Sequence, residues 1–376
     1  MPKFIYADHA ATTSLSEAAR VAMQPFLLDE YGNPSALYSM ARGPRKAVQK
    51  ARETIAGCIH CLPEEVLFTS GSTESDNWAI RGIALNHLFK EKNILTDAGE
   101  HHAILNSCLY LRNFDFYLNE MPINQDGSVD LNDVREWLDS DTVLMSVMLA
   151  NNETGSINDL AQMADMAHKY GTIVHTDAVQ AVGHIPVYVD QLNVDLLSAS
   201  AHKFNGPKGV GFLYCRKGTT LKPLFFGGPQ ENHSRAGTEN VAGIVGMAAA
   251  LEEHVRNLDK EQAYLKDLES YFVRKLNEAG FDYRLNGNEN HIPGLLSVSF
   301  KGAEGEMILH RLDLMHIEVA TGSACNSHES EVSDVLRAAG IPREYIEGTI
   351  RFSFGMENTK GEMDIIVNAL KKILAK

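Results

Sequence analysis

The sequence is poor in cysteine, with five in 376 residues, and has only two tryptophans. So sparse and odd a count excludes a disulfide framework and fits a reducing compartment. Long hydrophobic runs are missing too: stretches such as Val241 to Leu251 fall well short of the about 20 residues a membrane helix needs. The opening Met-Pro-Lys-Phe-Ile-Tyr-Ala-Asp-His has no apolar signal core, so a cytoplasmic protein with no membrane role is expected. Basic charge is the third shortage. Against 49 Asp and Glu stand 34 Lys and Arg, a net charge of −15, which argues against direct nucleic-acid binding. What remains, 44% hydrophobic and 22% charged, is an ordinary globular composition, long enough for two sizeable cores.

Strand-like runs alternate with helical patterns through the first 250 or so residues. Glu65 to Thr69 precedes a helical stretch over 73–89, and Asn93 to Thr96 precedes one over 102–111. Thr142 to Leu149 precedes one over 160–170, which Gly171 ends. Apolar runs over 172–177, 194–200 and 209–214 follow. Such alternation predicts a mostly parallel α/β sheet covered on both faces, with ligands bound beyond the carboxyl ends of the strands. From about Leu258 the texture changes to a charged helix over 261–278, runs over 281–285 and 295–300, and helices over 304–314 and 360–374. This reads as a smaller α+β unit.

Chemistry gathers where the strands end. Lys203, in Ser-Ala-Ser-Ala-His-Lys-Phe-Asn-Gly-Pro-Lys-Gly (198–209), follows a strand and precedes glycine–proline punctuation. Partly desolvated there, its amine could condense with an aldehyde cofactor; otherwise it is a solvated loop lysine. Asp177 ends another strand and suits the ring nitrogen of pyridoxal phosphate, or simply caps a helix. The stretch Phe-Thr-Ser-Gly-Ser-Thr-Glu-Ser-Asp (68–76) offers helix N–H groups and hydroxyls to a phosphate, or is a plain capping box. His101 follows a strand and could stack on a ring and shuttle protons, or be a surface histidine. Metal binding is discounted there, since Glu-His-His offers no His-x-x-x-His spacing. Cys325 lies in Ala-Thr-Gly-Ser-Ala-Cys-Asn-Ser-His-Glu-Ser (320–330), small and polar throughout, which reads as a mobile loop with an available thiol. Cys58, Cys108 and Cys215 fall in packing patterns, and Cys58-Ile-His-Cys61 has no second pair to make a metal site.

With these residues in place, the chain resembles the pyridoxal-phosphate cysteine desulfurases of the fold-type-I, class V aminotransferase superfamily. The resemblance runs from Tyr-Ala-Asp-His-Ala-Ala-Thr-Thr (6–13) to Thr-Ile-Arg-Phe-Ser-Phe-Gly (349–355). Between them lie Gly-Asn-Pro-Ser (32–35), Thr-Ser-Gly-Ser-Thr-Glu-Ser-Asp-Asn (69–77) and Asn-Asn-Glu-Thr-Gly (151–155). His-Thr-Asp-Ala-Val-Gln (175–180), His202-Lys203, Arg-Ala-Gly-Thr-Glu-Asn (235–240) and Gly-Ser-Ala-Cys (322–325) complete the set. The last resembles the group with a mobile cysteine loop.

The resemblance implies a large cofactor domain over 14–257 with a mostly parallel seven-stranded sheet, and a small domain from 1–13 and 258–376 carrying the cysteine loop. It implies Lys203 as the lysine that binds the cofactor, His101 stacked on the ring, Asp177 at its nitrogen and Gln180 at its hydroxyl. Ser72, Thr73, Ser200 and His202 would hold the phosphate, with Thr238 supplied by the second subunit of a homodimer. Asn151 would contact the cofactor and, with Arg351, grip the substrate carboxylate. Lys203 would take the Cα proton of L-cysteine, and Cys325 would attack its sulfur, keeping a persulfide and releasing alanine. The acceptor would be a protein of iron–sulfur assembly, tRNA thiolation or DNA phosphorothioation. A selenocysteine lyase or an aminotransferase on the same fold is the alternative, and a cofactor-free scaffold for sulfur-handling partners the rival from another class. The chain departs from the family at Tyr38, Ala201, Asn205, Pro229, Asn232 and His233.

Overall fold

A computed structural model describes residues 4–88, 92–322 and 332–375. In chain order the strands are β1 (Ile5–Tyr6), β2 (Val66–Thr69), β3 (Asn93–Asp97), β4 (Tyr117–Met121), β5 (Thr142–Ser146) and β6 (Ile173–Asp177). They continue as β7 (Leu196–Ser200), β8 (Gly211–Cys215), β9 (Tyr283–Asn286), β10 (Leu295–Phe300), β11 (Ile317–Glu318) and β12 (Thr349–Ser353). One seven-stranded sheet has the order β2-β8-β7-β6-β5-β3-β4. Neighbours from β7 through β4 pair in parallel, and β8 lies antiparallel between β7 and β2.

The strands are apolar in continuous runs because helices cover both faces. All five residues of β5 and of β7 are buried. Successive side chains go to opposite faces. Leu144, Leu196 and Leu213 pack with Trp78, Ile80 and Ile104. Met145, Leu197 and Phe212 pack instead with Ile55, Met163 and Met247. β4 closes one edge and is largely half-buried or exposed, so its sequence carries no strong apolar signal.

The chain leaves β3 toward β4 on one side, whereas β5 leads to β6 and β7 on the other. This reversal opens a crevice beyond the carboxyl ends of β3 and β5, where open α/β sheets bind their ligands.

The apolar run over 241–251 and the charged helix expected over 261–278 are a single 39-residue helix, Val241–Ala279. It contains no proline, and Gly280, with φ 75°, supplies its left-handed stop. The texture change at Leu258 therefore falls inside a continuous helix. Ile244, Met247 and Leu251 pack toward the large sheet, and Leu265, Leu268, Phe272 and Leu276 toward a second core. That core holds the antiparallel sheet β12-β10-β9 and the parallel pair β1-β11. The Phe272 ring lies 5.0 Å from Phe352 and 5.3 Å from Phe354. Among the described residues, no helix is long and apolar enough to cross a membrane.

Gly211 marks the closest approach of the sheet to the turn that follows β2. A Cβ there would stand 2.4 Å from the Ala199 carbonyl oxygen and 2.8 Å from Gly71 Cα. Gly57, in the helix Arg42–Ile59, has open space instead. Gly211→Ala should lower unfolding stability by about 1–3 kcal/mol, and Gly57→Ala should raise it by about 0.5–1 kcal/mol. Urea titrations of the two variants beside the parent check both signs.

Candidate active site

A cavity of about 610 Å³ fills the crevice, and His101, Asp177, Gln180, His202, Lys203 and Arg351 all line it. A hollow of about 370 Å³ shares Ser72, Thr73 and His202 with it and adds Gly71 and Ser200. Each strand delivers its residue at or just past its end: β2 the Gly71 turn, β3 His101, β6 Asp177 and β7 Lys203.

The smaller hollow sits at the amino end of the helix Ser72–Ala84. The first N–H groups of a helix have no partner within it, and the helix dipole favours an anion there. Gly71, at φ 145°, adopts a backbone that a side chain would strain, and a Cβ there would stand 3.5 Å from Ser200 Oγ. Hydroxyls of Ser72, Thr73 and Ser200 and the His202 ring surround the space. His202 Nδ1 lies 3.1 Å from Thr12 Oγ1, and burial takes its pKa down to about 4. It is therefore a neutral hydrogen-bonding group at neutral pH.

In the larger cavity, Asp177 Oδ1 accepts the Val179 N–H at 2.9 Å. Burial pushes the Asp177 carboxyl up, and the nearby His101 and Lys203 oppose this. His101 caps the helix His102–Leu111, its Nδ1 accepting the Ala103 N–H at 3.1 Å. Its proton is thereby confined to Nε2, and burial lowers its pKa. Lys203 Nζ donates to the carbonyls of Ala10 and Ala11, the latter at 3.0 Å. Gln180 Nε2 donates to the same Ala10 oxygen at 3.0 Å.

Arg351, on β12, reaches in from the second core. Its Nη1 donates to the Asn152 carbonyl at 2.8 Å and its Nη2 to Asp8 Oδ1 at 2.9 Å. Nε is left unpaired among the described residues, so the guanidinium is oriented yet retains N–H groups for a carboxylate. Asn151 stands behind the wall. Its Oδ1 accepts the N–H groups of Glu153 and Thr154, both at 2.9 Å, and its Nδ2 donates to the Gly99 carbonyl at 3.1 Å. The wall itself carries Asn152 and Glu153. Thr238 is exposed and lines neither cavity.

Sequence reasoning left Asp8, Glu100 and Glu153 without a role. Glu100 and Glu153 line the cavity, and burial raises both, Glu153 to about 7. Glu153 accepts the Ser333 hydroxyl at 2.5 Å, and its Oε2 would lie 2.4 Å from a Cβ at Gly322. Only their places inside the stretches 6–13, 99–102 and 151–155 could have flagged them.

Cys325 lies outside the described residues. The segment that bears it leaves the described chain at Gly322 and rejoins it at Val332, and Gly322, Asp334 and Val335 all line the cavity. The four described cysteines are free thiols. Burial pushes Cys58 to about 11, Cys61 and Cys215 to about 12, and Cys108 higher.

Pyridoxal phosphate fits these residues. The helix terminus with Ser72, Thr73, Ser200 and His202 offers an anion cradle, and Lys203 lines the same cavity as Asp177. The buried Asp177 carboxyl calls for a cationic partner such as a protonated ring nitrogen.

Comparison with known proteins identifies the family. The family model Aminotransferase class-V matches residues 5–366. A cysteine desulfurase IscS from Dictyoglomus turgidum is 47% identical over 100% of this chain and 96% of its own. The solved structure of a NifS-like protein superposes with a TM-score of 0.94 at 36% identity, over 99% of this chain and 100% of the other. A structure described as SspA in complex with cysteine gives 0.85 at 30% identity, over 94% of this chain and 100% of that one. With a family match spanning nearly the whole chain and the lysine, aspartate and histidine gathered at the strand ends, the chain belongs to the class-V aminotransferase family.

Proposed function

We propose that the protein is a cysteine desulfurase that turns L-cysteine into L-alanine and keeps the sulfur as a persulfide on Cys325. One observation carries the reading: Gly322 before the segment bearing Cys325, and Asp334 and Val335 after it, line the cavity that holds His101, Asp177, Lys203 and Arg351. The full-length similarity to cysteine desulfurases supports it. The atoms balance, since L-cysteine and a thiol give L-alanine and a persulfide; the substrate C–S bond breaks as an S–S bond forms.

Bound pyridoxal phosphate supplies an electron sink for the bond-breaking steps at the substrate. Lys203 takes the Cα proton on its amine and returns one when alanine is formed. Asp177 holds the ring nitrogen cationic from its buried position. His101 would lie against the ring and move a proton at Nε2, because Nδ1 is occupied by the Ala103 N–H. Gln180 would face the ring hydroxyl, and Ser72, Thr73, Ser200 and His202 would hold the phosphate. Thr238, exposed here, contributes to the phosphate site of a second copy in a homodimer. Arg351 receives the substrate carboxylate, steadied by Asp8, while Asn151 shapes the pocket from behind by fixing the 151–154 turn. The persulfide passes to an acceptor protein.

Lys203→Ala should slow alanine formation by roughly 10²–10⁴-fold. Cys325→Ser should carry no protein-bound persulfide and release alanine only at background. Alanine analysis with persulfide labelling of the intact protein reads both, and a serine variant that forms persulfide at the parent rate defeats the assignment. Asp8→Ala should raise KM for cysteine about tenfold with a smaller effect on kcat, since a charged hydrogen bond that aims Arg351 is lost. Steady-state kinetics on both parameters check it.

A further inference from the structure

Behind Lys203 lies a polar node that the chemistry above does not use. Asn205, one of the positions that departs from the family, sits in a left-handed turn at φ 58°, a conformation asparagine tolerates better than most residues. Its N–H donates to Thr13 Oγ1 at 2.8 Å, and its Nδ2 to the Ser14 carbonyl at 2.9 Å. Thr13 in turn donates its hydroxyl to the His202 carbonyl at 2.8 Å. The Lys203 turn is thus sewn to the segment 10–14, whose Ala10 and Ala11 carbonyls hold the Lys203 amine.

The other side of Asn205 faces the long helix. Because its amide nitrogen is committed to Ser14, its Oδ1 must face His254, whose Nε2 stands 2.9 Å away. His254 Nδ1 lies 2.7 Å from Glu261 Oε2. Both partners are acceptors, and a neutral imidazole has one N–H to give. The His254–Glu261 pair therefore holds one proton more than a neutral ring beside a carboxylate, and both ring nitrogens donate. His254 is buried at 9% exposure, which limits the access of water to either bond. Beside it, His184 places Nε2 2.9 Å from the Lys203 carbonyl. Burial takes His184 to about 4, so it serves as a neutral donor to that oxygen. Gln262, next to Glu261, donates to the His184 carbonyl at 2.8 Å.

We propose that His254, held doubly donating by Glu261, is a positioning residue for Lys203: it fixes the Asn205 turn and, through Thr13 and Ser14, the carbonyls that aim the amine. The inference rests on Lys203 being the amine that acts. Its distinctive consequence lies in which nitrogen matters. His254→Gln can keep a donor where Nε2 stood, toward Asn205. His254→Asn can keep one only where Nδ1 stood, toward Glu261.

The experiment has two arms. On the cofactor-free parent protein, nitrogen-15 NMR of the histidine rings at neutral pH should show protons on both His254 nitrogens; a ring with one proton overturns the proposal even if no variant folds. In the second arm, His254→Asn should lower kcat about tenfold at unchanged KM, and weaken pyridoxal phosphate binding to the cofactor-free protein by a similar factor. His254→Gln should recover most of both. If the two variants lose kcat equally, in step with their thermal midpoints, the role is structural and the proposal falls; it falls too if neither loses kcat. Should Lys203→Ala turn over cysteine at the parent rate, it is the assignment of Lys203 that fails.

Discussion

The structure turns on a carboxyl that burial opposes. Asp177 ends β6 with 7% exposure, in a sheet whose neighbouring strands are apolar on both faces. An ionised carboxylate in such surroundings is costly unless it is paired and hydrogen-bonded. One backbone N–H meets it, and Lys203 and His101 line the same cavity. The same continuous apolar strands that make the sheet stable therefore create a place where a cationic ring nitrogen is preferred to water. Fold and cofactor preference have one physical cause.

The N-terminal segment makes the site more than a set of strand ends. Residues 8–14 run from the second core to the large sheet and contact Arg351, Gln180, His202, Lys203 and Asn205. Asp8 aims Arg351, Ala10 and Ala11 hold the Lys203 amine, Thr12 meets His202, and Thr13 with Ser14 ties down Asn205. Most of these bonds use backbone carbonyls or short side chains, which have little conformational freedom to lose. A short segment that binds through its backbone can thus hold an amine and a guanidinium in fixed relation, although they come from different sheets.

Much of this was legible in the sequence, and the limits have physical reasons. Buried strands such as Leu196–Ser200 announce themselves because two-sided burial demands unbroken apolar runs, and residues just past them are natural ligands. That rule singles out His101, Asp177 and Lys203, each with a structural alternative, and the family resemblance gives them their roles. β4 was not visible, since an edge strand has no such demand and its Tyr-Leu-Asn-Glu-Met reads as loop. The long helix 241–279 was split in two because its inner half is apolar all round and its outer half amphipathic; two partners leave two patterns on one element. Asn151 was expected at the substrate, but its amide is engaged by the turn it belongs to, a commitment set by backbone geometry that no composition reveals. The His254 node was hidden for the same reason, since its partners are 49 and 7 residues away along the chain.

The role proposed for Cys325 is consistent with the same trade between burial and charge. A thiol must ionise to attack sulfur, and every described cysteine sits where packing raises its pKa. Residues that hold the scaffold rigid are for that reason poor nucleophiles. The site escapes the conflict by division: lysine, aspartate and histidine stand on the rigid strand ends, where burial and fixed hydrogen bonds set their protonation. The thiol is assigned to the small, polar stretch around Cys325, whose flanks meet the cavity wall at Gly322 and Asp334. A buried cysteine in that wall would carry its proton where a thiolate is needed, and it would have no route by which to hand sulfur onward.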